Sequence, residues 1–295
     1  MRHRYPRRRS FHRVLRIARR RGQRPSGAGF RPRAGERHQV IAARRPCRGH
    51  ELLAAWRGFL PVAARTDSGW IDAVIVLFDL DGTLFDHAGA DHEAALALRA
   101  VLAPKLPEKA FLTEWRMAEI RHYSRYLAGE ISFAEQRRAR VRAVAGERLS
   151  DAEADLAFNF YFSAYRNAWR LFEDVRPCLA ALSGLRLGLV TNGDGAVQRR
   201  KIEALGLAEF FDAVVISGEV GLAKPDPRIF ALACARLGAE PASALFIGDD
   251  RRLDAEAASA AGLRGLWLDR LGADAPDPIR VASLVEIPAL CAAAG

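Results

Sequence analysis

The chain has 295 residues, half of them apolar, which is enough for one large domain with an insertion and a sizeable core. Its formal net charge of +10 is unevenly placed: residues 1–70 carry nineteen arginines against Glu36, Glu51 and Asp67, a net of +16, while the remainder holds 26 basic and 32 acidic side chains, a net of −6. No run of about 18 apolar residues exists, and no apolar stretch of signal-peptide length follows the N-terminal charges, so neither a membrane span nor secretion is expected.

Residues 1–69 are rich in Arg, Pro, Gly and His, with only a brief apolar stripe at Phe11, Val14, Leu15 and Ala18. Such a segment cannot bury enough apolar surface to offset chain entropy and is expected to be disordered. It reads as a nucleic-acid-binding arm, as an organellar targeting peptide, which only two serines in the first forty residues argue against, or as translated upstream sequence. Arginine outnumbers lysine 41 to 4, as GC-rich coding predicts, and Val62 or Val74 would then mark an alternative start.

Ala73 to Phe78 is a six-residue, β-branched apolar run, the pattern of a strand buried on both faces of a parallel sheet. It runs into Asp79-Leu80-Asp81-Gly82-Thr83. Two acids spaced by one residue share a side of an extended chain and repel, unless a cation binds them or they divide the roles of nucleophile and proton carrier. From Asp86 to about Asp174 the text turns helical. Asp91–Leu102 and Glu108–Ala128 are helical runs, and Ser132/Glu135 and Ser150/Glu153 read as capping boxes opening two more. The last carries Phe158, Tyr161, Phe162, Tyr165 and Trp169 on one side. Candidates for substrate choice here are His87, Trp115, Arg116, His122, Tyr123 and Arg125, although most of the aromatics suit the core of a helix bundle.

From Val175 onward helix and strand alternate: a helix to Ser183, a strand Leu185–Val190, a helix Ala196–Leu205, a strand Ala213–Ile216, a helix Pro227–Leu237, a strand Ala244–Ile247, a helix Leu253–Ala261 and a strand Gly265–Leu268. Repeated βα units predict an α/β fold with a parallel sheet and ligands at the C-terminal strand ends. Those ends carry the remaining polar motifs. Thr191-Asn192-Gly193 offers a hydroxyl and glycine-freed N–H groups to a phosphate. Lys224 stands in a loop stiffened by Pro225 and Pro227, where a point charge can balance carboxylates and a phosphoryl group. Gly248-Asp249-Asp250, with Asp254 beyond, suits an oxygen-rich Mg²⁺ site. Cys47, Cys178, Cys234 and Cys291 form no C-x-x-C pair, as in a reduced, cytoplasmic protein.

With DLDGT, TN, KP and GDDRRLD in this order, roughly residues 73 to 293 resemble the haloacid dehalogenase superfamily of phosphohydrolases. The resemblance implies a three-layer α/β/α Rossmann-like core (residues 70–87 and 174–295) and an inserted helical cap (residues 88–173) over the strand tips. It makes Asp79 the nucleophile and Asp81 the general acid/base, gives Thr191, Asn192 and Lys224 to the phosphoryl group, and places Mg²⁺ on the Asp79 carboxylate, the Asp81 carbonyl and Asp249, supported by Asp254. Asp250 stands where the family often has a small hydroxyl residue, and adds negative charge near the metal. Asp81 favours phosphoryl transfer over dehalogenation, because an alkoxide leaving group needs a proton and a halide does not.

The implied activity is Mg²⁺-dependent hydrolysis of a small soluble phosphomonoester through an aspartyl-phosphate. A sugar phosphomutase, which passes the phosphoryl group to a second hydroxyl, is the nearest alternative. A nucleic-acid-associated protein acting through the basic arm is a third. The substrate and the oligomeric state are not fixed by the sequence.

Overall fold

The structure, a computed structural model, describes residues 75–145, 149–272 and 279–291. The expectations for residues 1–69, and for Ala73 and Val74 at the start of the first strand, lie outside the described residues. Two units are formed: Ala88–Ala168, and residues 75–87 together with 169–291.

The first unit is helical: α1 (His87–Leu102, its first residue belonging to the other unit), α2 (Glu108–Leu127), α3 (Phe133–Ala145) and α4 (Asp151–Asn167). Both expected capping boxes form. Ser132 and Ser150 accept from the backbone of Glu135 and Glu153, whose side chains reach back to the serine N–H groups. The core of this unit contains a polar knot. Asp91 accepts from the Trp115 indole at 3.1 Å, from Arg140 at 2.8 Å and from the Tyr161 hydroxyl at 2.5 Å, and Arg140 also pairs with Glu119 and lies 3.9 Å over the Trp115 ring. Trp115 is therefore a core side chain of this unit, while Arg116 and Arg125 pair with Glu119 and Glu130 on its surface.

The second unit is a six-stranded sheet. β1 (Ile75–Phe78) reads Ile-Val-Leu-Phe and is wholly buried, as a strand covered on both faces must be. β2 (Arg186–Thr191), β3 (Ala213–Ile216), β4 (Ala244–Gly248), β5 (Arg264–Leu268) and β6 (Arg280–Val281) join it in the order β3-β2-β1-β4-β5-β6, every pair parallel. This is the expected Rossmann-like α/β architecture. The flanking helices are α5 (Val175–Ala181), α6 (Gly195–Ala204), α7 (Ser217–Val220), α8 (Pro227–Arg236), α9 (Ala257–Ala260) and α10 (Ile287–Cys291). Leu77 lies level with Gly188 on β2 and Phe246 on β4, and the core runs from these strands into Ile229, Phe230 and Ala233 of α8. The chain runs outward from β1 to β2 and β3 and then crosses back to β4 on the other side of β1, so the crevice beyond the C-terminal ends of β1 and β4 is the ligand position of such sheets.

Three local differences from the sequence reading matter. Thr191 is the last residue of β2 rather than the first of a turn, which fixes its hydroxyl on a ladder position. The helix expected at Leu253–Ala261 begins instead as a π-helical turn, Arg251–Glu256, before α9. Asp250 caps that turn by accepting from the Arg252 and Leu253 N–H groups. Finally, β6 is two residues long, too short for any periodicity to reveal.

Candidate active site

The tips of β1, β2 and β4 and the loop after α7 bring the motif carboxylates and the lysine together within the second unit. Asp79 follows Phe78 directly, and its N–H continues the ladder to the Ile247 carbonyl at 2.9 Å. Its side chain is buried. Lys224 Nζ donates to Asp79 Oδ1 at 2.6 Å and to Asp254 Oδ1 at 2.5 Å, with all three side chains less than a tenth exposed. Asp79 Oδ2 is buried and has no hydrogen-bond partner among the described residues. An ionised oxygen in that state is costly, so the position calls for a cation or a reacting group.

Lys224 is positioned by Asn192. The Asn192 amide donates to the Lys224 carbonyl at 3.0 Å and accepts from its N–H at 2.9 Å. The Asn192 side chain thus grips the lysine loop, in which the Lys224–Pro225 peptide is cis. Asp254 Oδ2 accepts from the Asp250 N–H at 3.0 Å. Gly248 is what lets Asp254 come so near the end of β4, because a Cβ there would collide with its carboxyl group. Gly82, at φ +92°, performs the same service for Asp249. Thr83, unremarked in the sequence reading, receives the Asp249 N–H on its hydroxyl at 3.0 Å. Asp250 follows Asp249 and adds to the rise in its pKa, while its own side-chain oxygen is engaged in capping.

Carboxylate oxygens of Asp79, Asp249 and Asp254 all lie within 4.8 Å of one another. Burial pushes the Asp79 carboxyl up, and Asp254 and Asp249 add to the rise; despite the opposing lysine it reaches about 8. Desolvation by the surrounding protein and then Asp254 likewise raise Asp249 to about 7, although its side chain reaches solvent. Burial alone would lower Lys224, but the two carboxylates it touches outweigh that and hold it above the ordinary lysine value. Three acids around one lysine are therefore short of positive charge. An oxygen-liganded divalent cation answers that deficit, and the orphaned Asp79 oxygen gives it a ligand, so these residues fit Mg²⁺.

Asp81 stands apart from this cluster. It is partly exposed, it is ion-paired with Lys201, and it accepts from Gln198 Nε2 at 2.8 Å. Burial alone would raise its pKa, but Lys201, His87 and these hydrogen bonds together bring it below the ordinary carboxylate value. Thr191 is buried and accepts from the same Gln198 nitrogen at 2.7 Å. Sequence reasoning passed over Gln198 and Lys201. The available signal was a lysine, rare in this chain, three residues after a glutamine on a helix.

Strand-tip carboxylates, a bridging lysine and a hydroxyl thus meet at the switch point of a parallel sheet, an arrangement whose chemistry suits a phosphoryl group. The chain belongs to the haloacid dehalogenase-like hydrolases, whose family model matches residues 74–262. Among its relatives is the N-acylneuraminate-9-phosphatase of Homo sapiens, 33% identical over 229 residues that make up 73% of this chain and 92% of that protein. The phosphoserine phosphatase of Thermus thermophilus is 40% identical over 133 residues, 43% of this chain; the match spans about half of that protein (53%). The HAD-hydrolase YfnB of Bacillus subtilis, bound to magnesium, shares the fold with a TM-score of 0.63 at 21% identity, over 74% of this chain and 98% of that one. The chain is grouped with the phosphatases of the family. Among the described residues no helix is long and apolar enough to cross a membrane.

Proposed function

We propose that this protein hydrolyses a small soluble phosphomonoester, with Mg²⁺ as cofactor, through a phosphorylated Asp79. The observation that carries the reading is the state of Asp79: buried at the tip of β1, one oxygen held by Lys224 and the other without a partner. In the first half-reaction an Asp79 oxygen attacks phosphorus, the P–O bond to the leaving group breaks, and the leaving oxygen takes a proton from Asp81. In the second, water attacks the phosphorus, its proton passes to Asp81, and the bond from phosphorus to Asp79 breaks. The Lys201-paired carboxylate is the form suited to this second step. An arriving phosphate dianion raises the pKa of a neighbouring carboxyl, which supplies the acid form for the first.

Lys224 and the Thr191 hydroxyl hold phosphoryl oxygens, and Asn192 fixes the lysine loop and offers its main-chain N–H beside them. Mg²⁺ held by Asp79 and Asp249, with the Asp81 carbonyl and Asp254 in support, would supply the charge that neutralises the phosphoryl group. Asp81 supports phosphate-ester cleavage over loss of a halide. The relatives' named substrates, phosphoserine and N-acylneuraminate 9-phosphate, support a small, polar, hydroxylated or carboxylated ester. A reducing, cytoplasmic setting is supported by Cys178 and Cys234, both buried and free.

The test is phosphate release from a panel of metabolite phosphomonoesters, with and without Mg²⁺. Mg²⁺-dependent release from a sugar or hydroxy-acid phosphate is expected. An isomerised sugar phosphate with no free phosphate would mean a mutase, and no turnover of any ester would overturn the reading.

A further inference from the structure

Both oxygens of Asp81 are restrained from one helix. Gln198 and Lys201 stand three residues apart on α6 and share a face, and both are buried, whereas Arg199 and Arg200 between them are exposed. Lys201 Nζ donates to Asp81 Oδ1 and lies 4.7 Å from the centroid of the Phe85 ring. Gln198 Nε2 is 2.8 Å from Asp81 Oδ2, 2.7 Å from Thr191 Oγ1 and 3.2 Å from the Asn192 carbonyl. One amide nitrogen thus ties the carboxylate at the end of β1 to the hydroxyl at the end of β2. A fold gains little from burying a lysine here, since apolar residues of similar volume commonly serve as well as a buried ion pair or better. What this arrangement supplies is direction: a carboxylate on a glycine-flanked turn is otherwise free to rotate, and a proton carrier must be held within hydrogen-bond reach of its target.

We propose that Gln198 and Lys201 are positioning residues that fix the Asp81 carboxylate, in register with Thr191, for proton exchange with the leaving oxygen. The proposal rests on the reading of Asp81 as the proton-handling group. Neither residue touches the reacting atoms; Lys201 acts through Asp81, and Gln198 through both Asp81 and the Thr191 hydroxyl.

The test compares Lys201→Met, Lys201→Arg and Gln198→Leu, each alone and combined with Asp81→Asn, on glycerol 2-phosphate and on p-nitrophenyl phosphate. The nitrophenolate leaves with little proton help. Lys201→Met and Gln198→Leu should each lower kcat on the alkyl ester about 10- to 100-fold, at or below the low end of the about 10²- to 10⁴-fold that acid–base catalysis contributes, with a much smaller loss on the nitrophenyl ester. Lys201→Met should leave KM nearly unchanged, whereas Gln198→Leu, which also frees the Thr191 hydroxyl, should raise KM alike for both esters. Neither should lower kcat further once Asp81 is Asn, and Lys201→Arg should recover part of the loss. Equal losses on the two esters, or losses that add to that of Asp81→Asn, would overturn the proposal and assign the pair to packing or phosphate binding. Should Lys201→Met not fold, Gln198→Leu carries the same comparison without leaving or removing a charge. A wild-type enzyme that turns over both esters, but whose Asp81→Asn variant loses equally on both, would refute the reading of Asp81 and this proposal with it. An ester split for Asp81→Asn alone would refute only the proposal.

Discussion

Lys224→Met removes a cation that touches two buried carboxylates, at 2.6 Å from Asp79 and 2.5 Å from Asp254. Breaking a buried pair by deleting one partner costs about 3–5 kcal/mol, because the remaining charge stays buried and uncompensated. The metal-free Asp79 holds its proton up to about 8, so the lysine compensates it least at about pH 5, where the cost should sit near the bottom of that range, and more as pH rises to about 8, where the cost should move toward the top. For a domain of this size each kcal/mol is worth about 2–4 °C, so the melting temperature should fall by about 6–20 °C. Activity should fall by at least about 10²-fold, as loss of a charge aimed at the transition state commonly costs. Melts followed by far-UV circular dichroism in EDTA at the two pH values give the stability, and phosphate release gives the rate. A variant melting within about 2 °C of wild type at both pH values would refute the argument that Lys224 compensates buried charge.

Asp81→Asn should lose about 10²-fold or more on alkyl phosphates and far less on p-nitrophenyl phosphate, measured as kcat on each; equal losses would place Asp81 on water attack or the metal instead. Because the metal-free folded site keeps protons on Asp79 and Asp249 that the unfolded chain sheds near 3.8, stability in EDTA should be greatest at acid pH and decline as pH rises toward about 8. Mg²⁺ needs those carboxylates ionised, so its stabilising effect in thermal melts should grow over the same window and level off above it; a pH-independent effect would count against the cluster as the metal site. Gly248→Ala forces a methyl group into the Asp254 carboxyl and should cost about 1–3 kcal/mol by chemical denaturation while weakening the Mg²⁺ dependence of phosphate release.

The parts of this site that were legible in the sequence are those that sit on strand tips. An apolar run that ends abruptly in Asp79, in Thr191 or in Gly248-Asp249 is a local pattern, and the parallel sheet lines such tips up without further instruction. Lys224 stood out because lysine is rare here and two prolines follow it closely, at 225 and 227. What the sequence concealed depends on which face of a helix is buried. Gln198-Arg-Arg-Lys201 reads as a solvated polar turn, yet α6 turns its first and last members inward and its arginines outward. Asp250 read as extra charge at the metal, and the structure gives its carboxylate a capping task that only the π-helical turn creates. Thr83 escaped notice because a threonine after glycine suits any turn; its bond to Asp249 joins residues 166 positions apart.

The most direct test of the account is to find the phosphoryl group on the chain. Enzyme mixed with a turned-over phosphomonoester and Mg²⁺, quenched in acid within milliseconds, reduced with borohydride, digested and sequenced by mass spectrometry, should carry its label at Asp79 alone. The label should vanish in Asp79→Asn, which should stay folded and lose turnover. A label on another residue, or an Asp79→Asn enzyme that still releases phosphate, would contradict the assignment of Asp79 as nucleophile.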